Sequence, residues 1–164
     1  IAEFAVKLGW DVTVVDHRAG ASERASRFPG AQVVECLDAL NLANCVELTS
    51  RSAAVVVSHH YERDRNYLHS LLQSETAYVG MLGPRARTER MFADLEAEPV
   101  PLKPDDRVFS PVGMDIGGDG PDAIALAVIA EVTAVTNARA GGHLRDKRGP
   151  LHAAAQNPST VGKA

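Results

Sequence analysis

Ser110-Pro-Val-Gly-Met-Asp-Ile-Gly-Gly-Asp-Gly-Pro-Asp-Ala-Ile-Ala-Leu-Ala-Val-Ile-Ala-Glu131 is the stretch whose reading decides the fold. Its first half is dense in glycine and proline and carries Asp115 and Asp119, which predicts a loop with tightly specified backbone angles. Its second half predicts a helix starting at Pro121, where a missing N–H costs nothing, with Asp119 or Asp122 serving the free amides of the first turn. Ile124, Val128, Val132 and Val135 recur at helical spacing with alanines between them, so the helix is thin, apolar and suited to lie on a sheet. A glycine-rich loop feeding a helix N-terminus is also a natural place to hold an anion or a polar ring system.

Upstream, elements alternate. Ile1 to Leu8 predicts a helix ended by Gly9, with Glu3 and Lys7 paired on one face. The helix starts without a cap, which suggests that something upstream has been removed. Residues 11–16, 31–36, 53–58, 76–80 and 107–109 predict strands. Ala21 to Phe28 predicts a short helix or turn, Leu37 to Asn44 a loose helix, and Arg63 to Gln73 and Arg85 to Glu96 helices. This alternation predicts an α/β domain over residues 1–140, a three-layer Rossmann-like parallel sheet with helices on both faces. Residues 141–164, with no apolar period, predict a flexible tail. The helix–strand–Asp16 order is the second half of a dinucleotide-binding unit; its first strand and Gly-rich turn would lie before Ile1 and are missing.

Right-handed crossovers bring all strand C-termini to one edge, where ligands bind. That edge gathers Asp16, Ser58, His59, Gly80, Gly83, Arg85, Arg87, Pro111, Gly113, Asp115 and Gly117. Gly80 and Gly83 allow close backbone approach, and Arg85 and Arg87 put forked donors at a helix N-terminus, suited to phosphate or a planar oxygen-rich group. Cations there oppose the helix dipole, which favours a ligand role. His59 and His60 point in opposite directions at a strand end, which makes a shared metal awkward. No Ser/His/Asp or Cys/His arrangement marks a nucleophilic site.

Composition narrows the classes. Hydrophobic residues at 45% and charged residues at 23% suit a soluble globular domain, and a net charge of −4 argues against broad nucleic-acid binding. No apolar run is long enough to span a membrane. Cys36 and Cys45 lack metal-type spacing, and the expectation is of reduced cysteines in a cytoplasmic protein.

Tyr78-Val-Gly-Met-Leu-Gly-Pro-Arg85, Ser58-His59 with Asp64, Pro111-Val-Gly-Met-Asp-Ile-Gly117, Pro121-Asp-Ala-Ile-Ala125 and Ala130-Glu131 together resemble the C-terminal Rossmann-like domain of the XdhC/CoxI family, the xanthine dehydrogenase accessory proteins. The resemblance runs from Ile1 to about Arg139. It departs at Ser58-His59-His60, where the family usually shows Thr-His-Asp, and in the extra glycines around Asp119. The resemblance implies a chaperone that binds molybdenum cofactor and helps insert it into a molybdenum hydroxylase apoenzyme, with a cysteine desulfurase as a further partner and a homo-oligomeric state. An NAD(P)-binding oxidoreductase or nucleotide-binding regulator is the alternative that helix–strand–Asp16 supports, and a fragment with no ligand of its own is the third.

Overall fold

The computed structural model describes residues 1–148. Helix α1 (Ala2–Lys7) leads into β1 (Thr13–Asp16), and a 3-10 turn (Ala21–Arg27) into β2 (Gln32–Glu35). A second 3-10 turn (Ala39–Asn41) and α2 (Leu42–Cys45) precede β3 (Ala53–Val56). Then follow α3 (Tyr61–Leu72), β4 (Tyr78–Met81), α4 (Arg85–Glu96), β5 (Val108–Phe109) and α5 (Pro121–Thr136). All strand pairs are parallel: β1 with β2, β3 with β4, and β4 with β5.

Among the described residues the sheet comes in two pieces, β1-β2 and β3-β4-β5, so one edge of β1 and one edge of β3 have no ladder partner there. The same helical layers cover both pieces. On one face, Leu68 and Leu71 of α3 and Met91 and Leu95 of α4 form a continuous core with Met81, Val56, Cys36 and Leu42, and Val15 of β1 packs against it. On the other face, Val128 and Val132 of α5 meet Tyr78, with Ile1, Trp10, Val55 and Phe109 around them. Alternation along the strands explains the split, since Tyr78 faces α5 while Val79 and Met81 face the other layer. The burial of the strands differs. All four residues of β4 are buried, whereas in both β1 and β3 only the last residue is.

Several local expectations change. The predicted cap of α5 by Asp119 or Asp122 is absent, because Gly120 occupies the capping position and no side chain bonds the first-turn amides. Ile124, expected on the sheet face, is exposed, and so is Leu126. The fourth strand starts two residues later than predicted, because the carbonyls of Ser74 and Thr76 accept from the Arg107 guanidinium at 2.9 and 2.8 Å. The predicted tail lies mostly in residues 149–164, outside the described residues; its start, residues 141–146, is exposed and includes a 3-10 turn (Leu144–Asp146).

The cysteines require a correction. Cys36 follows β2 and Cys45 ends α2, and the chain turns back between them so that their Cα atoms stand 5.8 Å apart and a disulfide joins them. They are not the free thiols their spacing suggested. No helix among the described residues is long and apolar enough to cross a membrane.

Unpaired ladder edges on two parallel strands invite pairing with another chain. Residues 1–164 prepared alone are expected to self-associate, or to melt at low temperature with poor cooperativity. Sedimentation equilibrium and a thermal scan test this, and a stable monomer with a sharp transition would contradict it.

Candidate functional site

The loop after β5 is stitched down on three sides. Val112 N donates to Met81 O at 3.1 Å and Met114 N to Ala127 O at 3.1 Å, which ties the loop to the end of β4 and to α5. Ser110 Oγ donates to Thr88 Oγ1 of α4 at 2.7 Å, and the Ser110–Pro111 bond is cis. The central contact is Glu131 of α5. Its Oε1 accepts from the Tyr78 hydroxyl at 2.6 Å and from Gly113 N at 3.0 Å. Burial, then the Glu131 carboxylate, pushes the Tyr78 hydroxyl far above its ordinary range, so it remains a donor.

This packing sorts the glycines. A Cβ on Gly80 would lie 2.5 Å from Val112 Cγ2, and one on Gly113 would lie 3.2 Å from Ala127 Cβ. Both serve the approach of the loop to strand and helix, so the close approach they permit is to the protein's own atoms. Gly117 is open, with nothing within 4 Å of a Cβ built there. Pro111, Asp115 and Gly117 are exposed along the edge.

A second carboxylate organises the end of β3. Asp64 of α3 is 1% exposed; it accepts from Ser58 N at 3.2 Å and from the Ser58 hydroxyl. Its other oxygen meets Arg87 Nη1 at 2.7 Å. Ser58 Oγ in turn accepts from His60 N at 3.3 Å, and between them His59 sits exposed at φ 59°, a left-handed conformation uncommon for a residue with a side chain. Ser58, His59, Gly83 and Arg87 are thus brought into one assembly, with the Arg87 stem running beside Gly83.

Arg85 and Arg87 do not act as a pair. Residues two apart on a helix lie on different faces. Arg87 turns to Asp64 and to the ring of Tyr61, at 6.0 Å, where Arg90 joins it at 5.0 Å. Tyr61 is held in turn by Asp94, which accepts from its hydroxyl at 2.7 Å. Arg85 instead lines a cleft of about 390 Å³ with Thr88, Phe92, Pro104, Asp105 and Ser110. It stands exposed at the start of α4, whose first-turn amides no side chain caps.

Asp16 also departs from its expected role. It is buried, and its oxygens accept from Arg18 Nε, Nη2 and backbone N at 3.0, 2.7 and 3.0 Å and from Arg24 Nε at 2.9 Å. The Arg18 side chain is the leading cause holding the carboxyl well below the ordinary range, with the Arg18 amide and Arg24 adding to it against the cost of burial. A ribose would have to displace these arginines. The structural roles of Glu131 and Asp64 go beyond the sequence reading, although an acid in an otherwise apolar helix and an acid in the first turn after a strand are signals the sequence carries.

Parallel strands, helices on both faces and loops gathered at the strand C-termini define a Rossmann-like domain. The family model described as "XdhC Rossmann domain" matches residues 1–132, and the chain belongs to this family. It is 32% identical over 132 residues to a Bacillus subtilis protein named as a probable subunit of xanthine dehydrogenase, covering 80% of this chain and 38% of that one. It is 31% identical over 144 residues to an Escherichia coli protein named "Uncharacterized protein YqeB", covering 87% and 26%. A crystal structure from Bacillus halodurans, titled as a xanthine dehydrogenase, superposes with a TM-score of 0.71 at 27% identity over 84% of this chain and 40% of that one. The chain therefore spans well under half the length of these relatives.

Glu131→Ala leaves the buried Tyr78 hydroxyl and the Gly113 amide without an acceptor and is expected to cost about 1–3 kcal/mol, with Glu131→Gln costing less because it keeps an acceptor oxygen. Urea unfolding of both variants measures the difference. For Asp16 the folded-state pKa is depressed, so its contribution to stability is complete above the unfolded value of about 4 and is lost as pH falls below it. Asp16→Asn is expected to lower stability at pH 7 and to flatten the acid limb. Part of that limb should persist, because Asp105 is lowered by Arg107 in the same way.

Proposed function

We propose that this domain belongs to an accessory protein of a molybdenum hydroxylase, and that it binds molybdenum cofactor at the strand-end edge during maturation of the client. The observation that carries the reading is the clamped loop Pro111–Gly117, whose preceding residue Ser110 is bonded to Thr88 of α4. Glu131 and the Met81 and Ala127 carbonyls fix the loop backbone, which leaves Asp115 and Gly117 exposed, and Arg85 is exposed at the start of α4 in a cleft that Ser110 also lines. The donors fit a pterin with a phosphate: a forked cation and uncapped helix amides for the phosphate, and exposed loop amides and a carboxylate for a polar ring. Membership of the family and the names of its relatives support the same reading. The client apoenzyme and a cysteine desulfurase would be its partners, with self-association through the strand edges described above.

The NAD(P) alternative loses support, since the acid at the end of β1 is already saturated by Arg18 and Arg24. The chemistry supplied by the bound cofactor would be that of the client; this chain's residues bind, orient and shield it.

Titration of molybdenum cofactor into the full-length protein tests the proposal. Arg85→Ala is expected to weaken binding ten- to a hundredfold, about 1.5–3 kcal/mol for one charge-assisted contact. Arg87→Ala is expected to act through the Ser58–Asp64 assembly, so it should also lower the melting temperature, which Arg85→Ala should not. Binding by Arg85→Ala equal to that of the parent would defeat the site assignment, and an equal loss of NAD(P) binding would point to a general phosphate cradle.

A further inference from the structure

We propose that the free edge of β5 and the cleft beside α4 form a docking groove for an extended segment of a partner protein, one that carries a lysine or arginine two positions from an apolar residue. The segment adds to the sheet as an extra strand. The inference does not rest on the cofactor reading. It uses the Phe92–Glu96 end of the cleft, and Glu96 stands about 16 Å along α4 from Arg85.

The backbone of β5 is the first observation. Among the described residues its ladder partner is β4 alone, with Val79 opposite Val108 and Gly80 opposite Phe109. Arg107 O accepts from Val79 N at 2.8 Å, and alternation in a parallel ladder turns the Phe109 N–H and C=O toward β4 as well. The Val108 C=O and the Ser110 N–H therefore point away from β4. Neither has a partner among the described residues, whereas the Val108 N–H already donates to Asp105 O at 2.9 Å. An incoming extended strand supplies a donor for the one and an acceptor for the other. The bond from Ser110 Oγ to Thr88 fixes this end of β5 against α4, so the edge is ordered before anything binds.

The cleft is the second and independent observation. Phe109 packs toward α5, while Val108 and Ser110 line the cleft together with Phe92, Ala93, Glu96 and Pro104. An added strand turns every second side chain to that same face. A residue opposite Val108 would lie over Phe92, Val108 and Pro104, which suits a branched apolar side chain. The next side chain on this face lies two positions away, about 6.6 Å along the strand. Phe92 and Glu96 share one face of α4 and are about 6 Å apart along it. The two spacings match, so an apolar residue on Phe92 brings its neighbour but one to Glu96.

Charge selects the occupant. Glu96 and Glu89 are exposed on the rim, and among the described residues neither has an ion pair. Glu96 is the last residue of α4, where a carboxylate opposes the helix dipole. Asp105, also on the rim, is already held by Arg107. A cation carried by the partner therefore has Glu96 to meet. Two copies of this chain joined edge to edge would instead bring like acids together, which disfavours a second copy as the occupant. Backbone bonds and the apolar contact supply the affinity, and the unpaired acids supply the choice of segment.

The test is titration of the full-length protein with the peptide acetyl-Thr-Lys-Thr-Val-Thr-Lys-Thr-amide, followed by anisotropy of a labelled copy and by the backbone amide NMR signal of Ser110. No cofactor enters, so failure here leaves the cofactor reading standing. Binding should move the Ser110 signal. N-methylation of the valine and of the threonine after it removes the donor for Val108 O and should weaken binding about fivefold. Ala93→Arg, at an exposed position lining the cleft, should abolish binding and leave the melting temperature unchanged. Glu96→Lys should weaken it about twofold to fivefold and favour the peptide with glutamate in place of both lysines. Equal binding of the N-methylated peptide overturns the proposal, as does parental affinity in Ala93→Arg or no binding at millimolar peptide. A peptide-free oligomer that Ala93→Arg dissociates would assign the face to a second copy and overturn it equally.

Discussion

One carboxylate at the centre of an apolar helix holds the strand-end edge together. Glu131 receives the Tyr78 hydroxyl from β4 and the Gly113 amide from the loop, so a strand, a helix and a loop share one acceptor. The Tyr78 hydroxyl is removed from water and the Gly113 amide is half-buried, so each would carry a desolvation cost if left unpaired. The stacking of Tyr78 on Phe109, with ring centroids 4.7 Å apart, extends the same constraint to β5. The closeness of Gly80 to Val112 then follows, because the loop is drawn down onto the strand and no side chain fits between them. Loop conformation at this edge is set from inside the protein, which frees the outward-facing groups from any structural duty.

Asp64 repeats the arrangement between β3 and β4. It satisfies the Ser58 amide and hydroxyl on one oxygen and pairs with Arg87 on the other, so two strand-end loops are registered by one buried charge. A buried pair of this kind is weak evidence for stability, because desolvation offsets much of the attraction. Its clearer effect is geometric. The left-handed backbone of His59 costs energy and persists only where its surroundings over-determine it, and the Ser58 bonds to Asp64 and from the His60 amide supply that constraint.

Much of the fold is legible in the residues because local and global preferences agree. The helix after Pro84 begins and ends where a proline boundary and a charged, periodic run place it, and every predicted strand is present, although shorter. The departures have physical sources. Thr76 looks like strand, but its carbonyl is taken by Arg107, a contact across 31 residues that no local pattern reports. The disulfide depends on a turn bringing Cys45 back over Cys36, which a nine-residue spacing does not reveal. The divergence of Arg85 and Arg87 is legible in principle, since residues two apart cannot share a helical face, yet their common motif suggests a pair. Asp16 stands at a strand end as expected, but the two arginines that saturate it lie in a turn whose geometry only the fold defines.

The split in the sheet explains why the edge carries two chemically different regions. At β4 and β5 the ladder is continuous, β4 is buried along its length, and polar groups there are paired internally through Glu131 and Asp64. At β1 and β3 the ladder is interrupted among the described residues and the strands are only partly covered, while Asp16 at the end of β1 is held by Arg18 and Arg24. Helix α3 borders both regions: Asp64 in its first turn pairs with Arg87 at the start of α4, and Leu68 and Leu71 further along pack in the core that Val15 of β1 joins.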